Sequence, residues 1–319
     1  MFAVVLGFVV PTMLFSAVGK RTHNDIPQTQ PTDEPTQITT TPYHTVEIPV
    51  LMEDKSVVNM DMDEYLAAVV LKEMPADFEI EALKAQAVVA RTYALRRYTS
   101  GQKHSEGAVC TSASCCQGFC TEEQYLSAGG DQASVEKIKS AVAETHNQVL
   151  CYQGELIEAT YFSCSGGMTE DAVAVWGSEV PYLQATESPG EEKATHYTDA
   201  MHFTVDEFLE SIGGKGETGV KIGDITYTDG GGIATITIND KTHTGTSLRQ
   251  LLGLRSTAFA VHVIGNSVVV TTKGFGHRVG MSQYGADAMA VRGSTYREIL
   301  AHYYQGTQLV DYLSEIDNP

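Results

Sequence analysis

Residues 65–98, YLAAVVLKEMPADFEIEALKAQAVVARTYALRRY, constrain the fold more than any other stretch. They read as a helix, a sharp break and a second helix. Leu66, Val69 and Val70 recur at helical spacing. Pro75 disfavours a helical Met74, so the first helix is predicted to end near Glu73. Asp61 or Asp63 is placed to cap its start. Glu73 lies four residues past Val69 and seven past Leu66, on the apolar face, among Val70, Met74 and Phe78. Loss of water and the negative end of the helix dipole both disfavour the charged carboxylate and raise its pKa. An acid protonated near neutral pH is what general acid catalysis needs. The plainer alternative is an end-of-helix carboxylate turned to solvent. The second helix is predicted from Glu79 to about Tyr98. It is rich in Ala, with small residues on several faces, so it is expected to pack on more than one side. Lys84 and Arg91 share a face of it, either as snorkelling surface groups or as partners of an anion or sugar in a cleft.

The rest of the chain is organised around this element. Residues 1–19 carry no charge, and Lys20 and Arg21 follow. A span needs about 20 apolar residues, so this run is expected to be a transmembrane anchor or the core of a signal peptide. A basic leader is missing, and the expected start lies upstream. Residues 20–43 hold four prolines among many Thr and Gln, without an apolar period, and read as a disordered linker. The folded part is expected from residue 44 to 319. A net charge of −19 with pI near 4.8 argues against nucleic acid and anionic membrane surfaces as partners.

All six cysteines fall between residues 110 and 164, and four of them lie within eleven residues. Closely spaced Cys and His supply the four ligands of tetrahedral zinc. An exported chain offers disulfides as the alternative, less tidily because Cys115 and Cys116 are adjacent, and free thiols are the third. The chosen ligands are His104, Cys110, Cys115 and Cys116, with Cys120 in reserve. Four protein ligands make a closed, structural site.

Farther on, residues 135–145 are predicted helical. Residues 148–152 and 155–162 read as a hairpin about Gln153-Gly154, followed by the small residues Ser163 to Gly167. Trp176, the only Trp, is a sugar platform or a core aromatic. Residues 198–272 read as a β-rich lobe of hairpins without evident chemistry. KGFGHRVGMSQYG then forms a tight glycine loop after a strand. It lacks the Gly-Lys-Ser/Thr of a P-loop, and its glycine spacing is not GxGxxG, so a nucleotide is rejected. Ser282 is placed to cap a helix to about Val291, and Thr295 with Glu298 has capping-box spacing. The expected fold class is α+β: a helix-break-helix catalytic element packed on short antiparallel sheets, with a smaller β-rich lobe.

Two stretches together, YLAAVVLKEMP with IEALKAQAVVARTYAL and GFGHRVGMSQYGADAMA with ILAHYYQGTQL, closely resemble the stage II sporulation protein D family, which includes amidase-enhancer proteins. VCTSASCCQ, ATYFSCSGGMTE, VWGSEVPYL and LRQLLGLRSTAF extend the resemblance over roughly residues 44–312. It implies that Glu73, in the EMP motif, is the acid/base of a peptidoglycan lytic transglycosylase. It implies that Lys84, Arg91, Tyr161, Ser163, His277, Gln283 and Tyr284 bind substrate, and that His104, Cys110, Cys115 and Cys116 hold zinc. Two departures stand out: Cys115 where His is expected, and Arg278 where Gly is usual, which is expected to narrow or charge the site. A lytic transglycosylase needs one carboxylate where hydrolases normally need two. No second acid stands out, although Glu64, Asp77, Glu79 and Glu81 are near in sequence.

The implied function is cleavage of bonds between N-acetylmuramic acid and N-acetylglucosamine in denuded glycan strands, giving 1,6-anhydro products, during septal wall remodelling in forespore engulfment. The implied partners are the glycan strands, the sporulation amidase (stage II protein P) and a membrane scaffold (stage II protein M). The implied location is the cell membrane, through a single-pass anchor with the catalytic domain outside the cytoplasm. The first alternative is a non-catalytic wall-binding enhancer of an amidase. A zinc hydrolase is weaker, because the Cys cluster looks closed and HExxH is absent.

Overall fold

The first helix begins where an aspartate caps it. In the computed structural model, which describes residues 46–100, 103–104, 109–214 and 216–316, the Asp61 carboxylate accepts from the N–H groups of Asp63 and Glu64. Helix α1 runs Met62–Glu73, and Met74 leaves it in extended backbone (φ −129°, ψ 136°), as the following proline demands. Helix α2, Ile80–Ser100, starts after the break. Its first turn is tied from far along the chain: the Glu79 N–H donates to Asp287, a nearly buried carboxylate, at 2.8 Å. The Ala-rich faces of α2 let neighbours close in on several sides. It packs against α1, helix α4 (Gln132–Glu144) and the later helices Gln283–Val291 and Tyr296–Tyr303. Helix α3, Glu122–Ser127, opens on a Thr121–Gln124 capping box absent from the expected element list.

Short sheets surround this bundle, as an α+β fold. Glu47–Leu51 lies between Val57–Asp61, antiparallel, and Val109–Cys110, parallel. Gln148–Tyr152 pairs with Glu155–Leu156 and Gln308–Asp311, both antiparallel. The expected hairpin strand to residue 162 stops at Leu156. Tyr161–Phe162 joins a different partner, Met281–Ser282, in a two-residue parallel pair. That pairing brings the ATYFS segment beside the glycine loop, two regions more than a hundred residues apart.

A second apolar cluster falls wholly within residues 201–270, the stretch expected as a lobe. Two antiparallel three-stranded sheets build it, centred on Ile233–Ile238 and Ser267–Lys273. No helix among the described residues is long and apolar enough to cross a membrane. The anchor expected at residues 1–19 and the linker at 20–43 lie outside the described residues.

Candidate active site

The C-terminal end of α1 delivers Glu73 into an open cleft of about 930 Å³. Tyr161, Ser163, Trp176, His277 and Gln283 line the same cleft. Of the expected binding residues, the structure therefore gathers Tyr161, Ser163, His277 and Gln283 around Glu73. Half-burial of the Glu73 carboxyl raises its pKa above the ordinary carboxylate range. The Gly118 N–H, the Tyr161 hydroxyl and Lys72 act against that rise by favouring the charged form. Burial holds the Tyr161 phenol far above its usual value, so it stays a donor. Glu64, Asp77, Glu79 and Glu81 do not line the cleft. The other carboxylate that does, Glu158, is bonded to Arg96 and Arg97. Glu73 is thus the cleft carboxylate without an arginine partner among the described residues.

The opposite wall comes from the glycine loop. His277 packs against Phe162 (ring centroids 5.6 Å apart) and Trp176 (6.0 Å). Burial, then the nearby Arg249, lowers its pKa to about 4, so it is neutral at physiological pH. Its Nδ1 accepts from the Val279 N–H at 3.1 Å, which leaves the ring proton on Nε2. Trp176 ends helix α5, Ala172–Trp176, and is 43% exposed, which removes the core-aromatic alternative.

Four residues lie against partners other than the expected ones. Arg91 is fully buried and away from the cleft. Its guanidinium donates to the carbonyls of Val142, Thr145 and Gln148 and to Asp63. It closes the C-terminal end of α4, where carbonyls lack helical partners. Lys84 pairs with Glu81 (2.8 Å) and Glu144 (2.7 Å) rather than facing the cleft. Tyr284 turns the other way along its helix, edge-on to Phe78 (4.9 Å), beside a smaller cavity of about 260 Å³ shared with Asp77 and Lys193. Arg278 neither narrows nor charges the cleft: it is buried against Glu170 and donates to the carbonyls of Ser165, Met168 and Gly230. Its φ of +66° is the left-handed backbone that glycine adopts without cost.

Beside the cleft, His104, Cys110, Cys115 and Cys116 bring their ligand atoms within 4.8 Å of one another. His104 Nε2 is 3.5 Å from the Sγ atoms of both Cys115 and Cys116. Tetrahedral zinc with bonds of about 2.0 and 2.3 Å separates neighbouring N and S ligands by about that much, so the donor set fits a metal ion. Burial, with the neighbouring Cys110 thiol adding to it, pushes Cys116 up to about 11. A bound dication reverses that cost. Cys120 turns away to the Thr121 carbonyl, and none of the four clustered cysteines forms the disulfides of the alternative reading. Sequence reasoning missed Gln117, Gly118, Glu158 and the arginine pair. Their local sequence carries no signal, because each acts only through residues distant in the chain.

Fold and site define an α+β protein whose cleft holds one carboxylate without an arginine partner among the described residues, beside a His–Cys₃ cluster. A family model described as stage II sporulation protein matches residues 53–152. The stage II sporulation protein D of Bacillus subtilis is 41% identical over 83% of this chain and 79% of its own length. That of Bacillus amyloliquefaciens is 40% identical over 83% and 78%. The amidase enhancer of Bacillus subtilis is 28% identical over 77% of this chain and 40% of its own length. The chain belongs to the stage II sporulation protein D family.

Proposed function

We propose that this protein is a peptidoglycan lytic transglycosylase of sporulation-linked wall remodelling. The observation that carries the reading is the half-buried Glu73, raised in pKa and lining an open cleft whose other carboxylate is held by arginines. Protonated Glu73 gives its proton to the glycosidic oxygen between N-acetylmuramic acid and N-acetylglucosamine. The carboxylate so formed is received by the Gly118 N–H, already in place, and by the Tyr161 hydroxyl once its single proton turns from Gln117 to it. It then takes the proton of the muramic acid 6-hydroxyl, whose oxygen closes on C1 as a 1,6-anhydro ring. One carboxylate serves twice and no water is consumed.

Trp176 supplies an exposed indole face for a sugar ring. Stacking of about 0.5–1.5 kcal/mol sets the expectation that Trp176→Ala raises KM about 2- to 10-fold with kcat little changed. His104, Cys110, Cys115 and Cys116 would hold zinc. Four protein ligands leave no position for water, so the ion would supply structural cross-linking rather than a nucleophile. Anchoring through residues 1–19, action on denuded strands at the engulfment septum, and association with the amidase and scaffold of that process complete the proposal.

The test is mass spectrometry of products from denuded glycan, with purified wild type and Glu73→Gln. Wild type is expected to release 1,6-anhydro saccharides and the variant none. Products with hydrated reducing ends, or undiminished release by the variant, would sink the assignment. The likeness to an amidase enhancer favours a second reading, in which the cleft binds wall and stimulates an amidase. It predicts no product from wild type alone, and stimulation of a partner amidase that survives Glu73→Gln.

A further inference from the structure

Two residues join the His–Cys₃ cluster to the proposed acid. Cys116 belongs to the cluster, and Gln117 and Gly118 follow it. Gln117 is buried, donates to the Tyr65 hydroxyl at 2.9 Å and accepts from the Tyr161 hydroxyl at 3.3 Å. Gly118 donates its N–H to Glu73 Oε1. It sits so close that a Cβ there falls 2.9 Å from that oxygen and 2.7 Å from Lys72 Cγ. Its φ is not in the left-handed region, so the conflict that a Cβ meets here is with the Glu73 and Lys72 side chains, which would have to move. The segment is tied at both ends. The N–H groups of Cys115 and Cys116 donate to the Ser112 carbonyl (3.0 and 2.8 Å), and the Cys120 N–H donates to the Ala68 carbonyl on α1 (3.0 Å).

We propose that residues 116–118 are a strap that places Glu73 and Tyr161, with Gln117 and Gly118 as positioning residues and the cluster as the anchor at Cys116. The inference rests on Glu73 being the acid. Metal in the cluster then bears on the acid through the strap, not through bound water. Freed of its anchor, the strap keeps its tie to Ala68 but lets the Gly118 N–H leave the carboxylate. Gly118→Ala pushes that carboxylate directly while leaving all four cluster side chains in place.

The experiment uses the full-length, metal-loaded protein. Gly118→Ala is expected to lower kcat for anhydro-product release about 10- to 100-fold, as a displacement on the order of 1 Å does, with KM and metal content held. An unaltered kcat overturns the proposal. In ¹⁵N-labelled wild type, the Gly118 amide should shift in Glu73→Gln, and should shift and exchange faster after chelation. A chelated, still folded protein whose Gly118 amide is unmoved also overturns it. Should Gly118→Ala not fold, the amide measurement decides. Should wild type release no anhydro product, the transglycosylase reading fails while the amide measurement still tests the strap.

Discussion

The cleft around Glu73 and the joint around Glu170 both withdraw a glutamate from water, and they treat it oppositely. Glu170 is given a full counter-charge: Arg278 pairs with it at 3.1 Å, and Thr228 and Gly232 of the lobe donate to the same oxygen. Glu191 nearby takes N–H and hydroxyl donors from Ser165, Gly166 and Ser188. These carboxylates fasten one part of the fold to another. Glu73 receives one N–H and the neighbourhood of a hydroxyl that also donates to Gln117, and burial still wins. A buried carboxylate given an arginine has a counter-charge fixed beside it. One given only neutral donors at a cleft is left able to exchange a proton. The distinction separates structural from chemical acids here better than burial alone, since Glu170 is the more buried of the two.

The largest expected effect tests the chemical side. Removing a general acid costs about 10²–10⁴ in rate, so Glu73→Gln should lose anhydro-product release by that much. Its stability should move the other way. The folded pKa of Glu73 is raised, so its protonated form contributes stability fully present below the ordinary carboxylate value. That contribution is lost as pH rises through the raised value. Glutamine has no charge to bury, so the variant should be at least as stable as wild type at neutral pH. The gap in Tm should open as pH rises, and a variant that melts lower throughout would place Glu73 with Glu170. The kcat of wild type should also fall on the alkaline side, as Glu73 loses its proton.

The structural side predicts a comparable free energy in a different assay. Arg278→Met leaves Glu170 charged and uncompensated in the interior, at a cost of about 3–5 kcal/mol in denaturant unfolding. Adding Glu170→Gln should recover part of it, because no buried charge then remains. A single variant as stable as wild type would break the comparison.

Much of the framework was legible because it is written locally. The apolar stripe, Pro75, and the caps at Asp61, Ser282 and Thr295 set helix positions within a residue or two. The odd phase of Glu73 marked it as unusual, and the spacing of His104, Cys110, Cys115 and Cys116 marked a cluster. What failed was partner assignment. A cation on an apolar helix looks the same whether it faces a cleft or the end of another helix. Arg91 finds carbonyls more than fifty residues away, which no periodicity encodes. Arg278 misled for the same reason: its neighbour His277 lines the cleft, but the left-handed backbone between them turns the guanidinium inward. Gly118 gave no signal, since only the tertiary approach of Glu73 explains it.

The smallest effect sharpens the comparison from outside. Lys84 bridges Glu81 and Glu144 near the surface, and those carboxylates are themselves 27% and 51% exposed. Water already solvates part of each charge, so removing the cation strands nothing in a low dielectric. Pairs of this kind contribute about 0–1 kcal/mol and are screened by salt. Lys84→Ala should therefore lower stability by no more than that, with the difference shrinking at high ionic strength. Its kcat and KM should match wild type, because the ammonium points away from the cleft. A KM raised severalfold would return Lys84 to the sugar and would show the cleft to extend beyond Glu73 and the glycine-loop wall. Equal kinetics would leave charge pairing at α2 as a matter of helix docking, the mildest form of what Arg278 does at the joint.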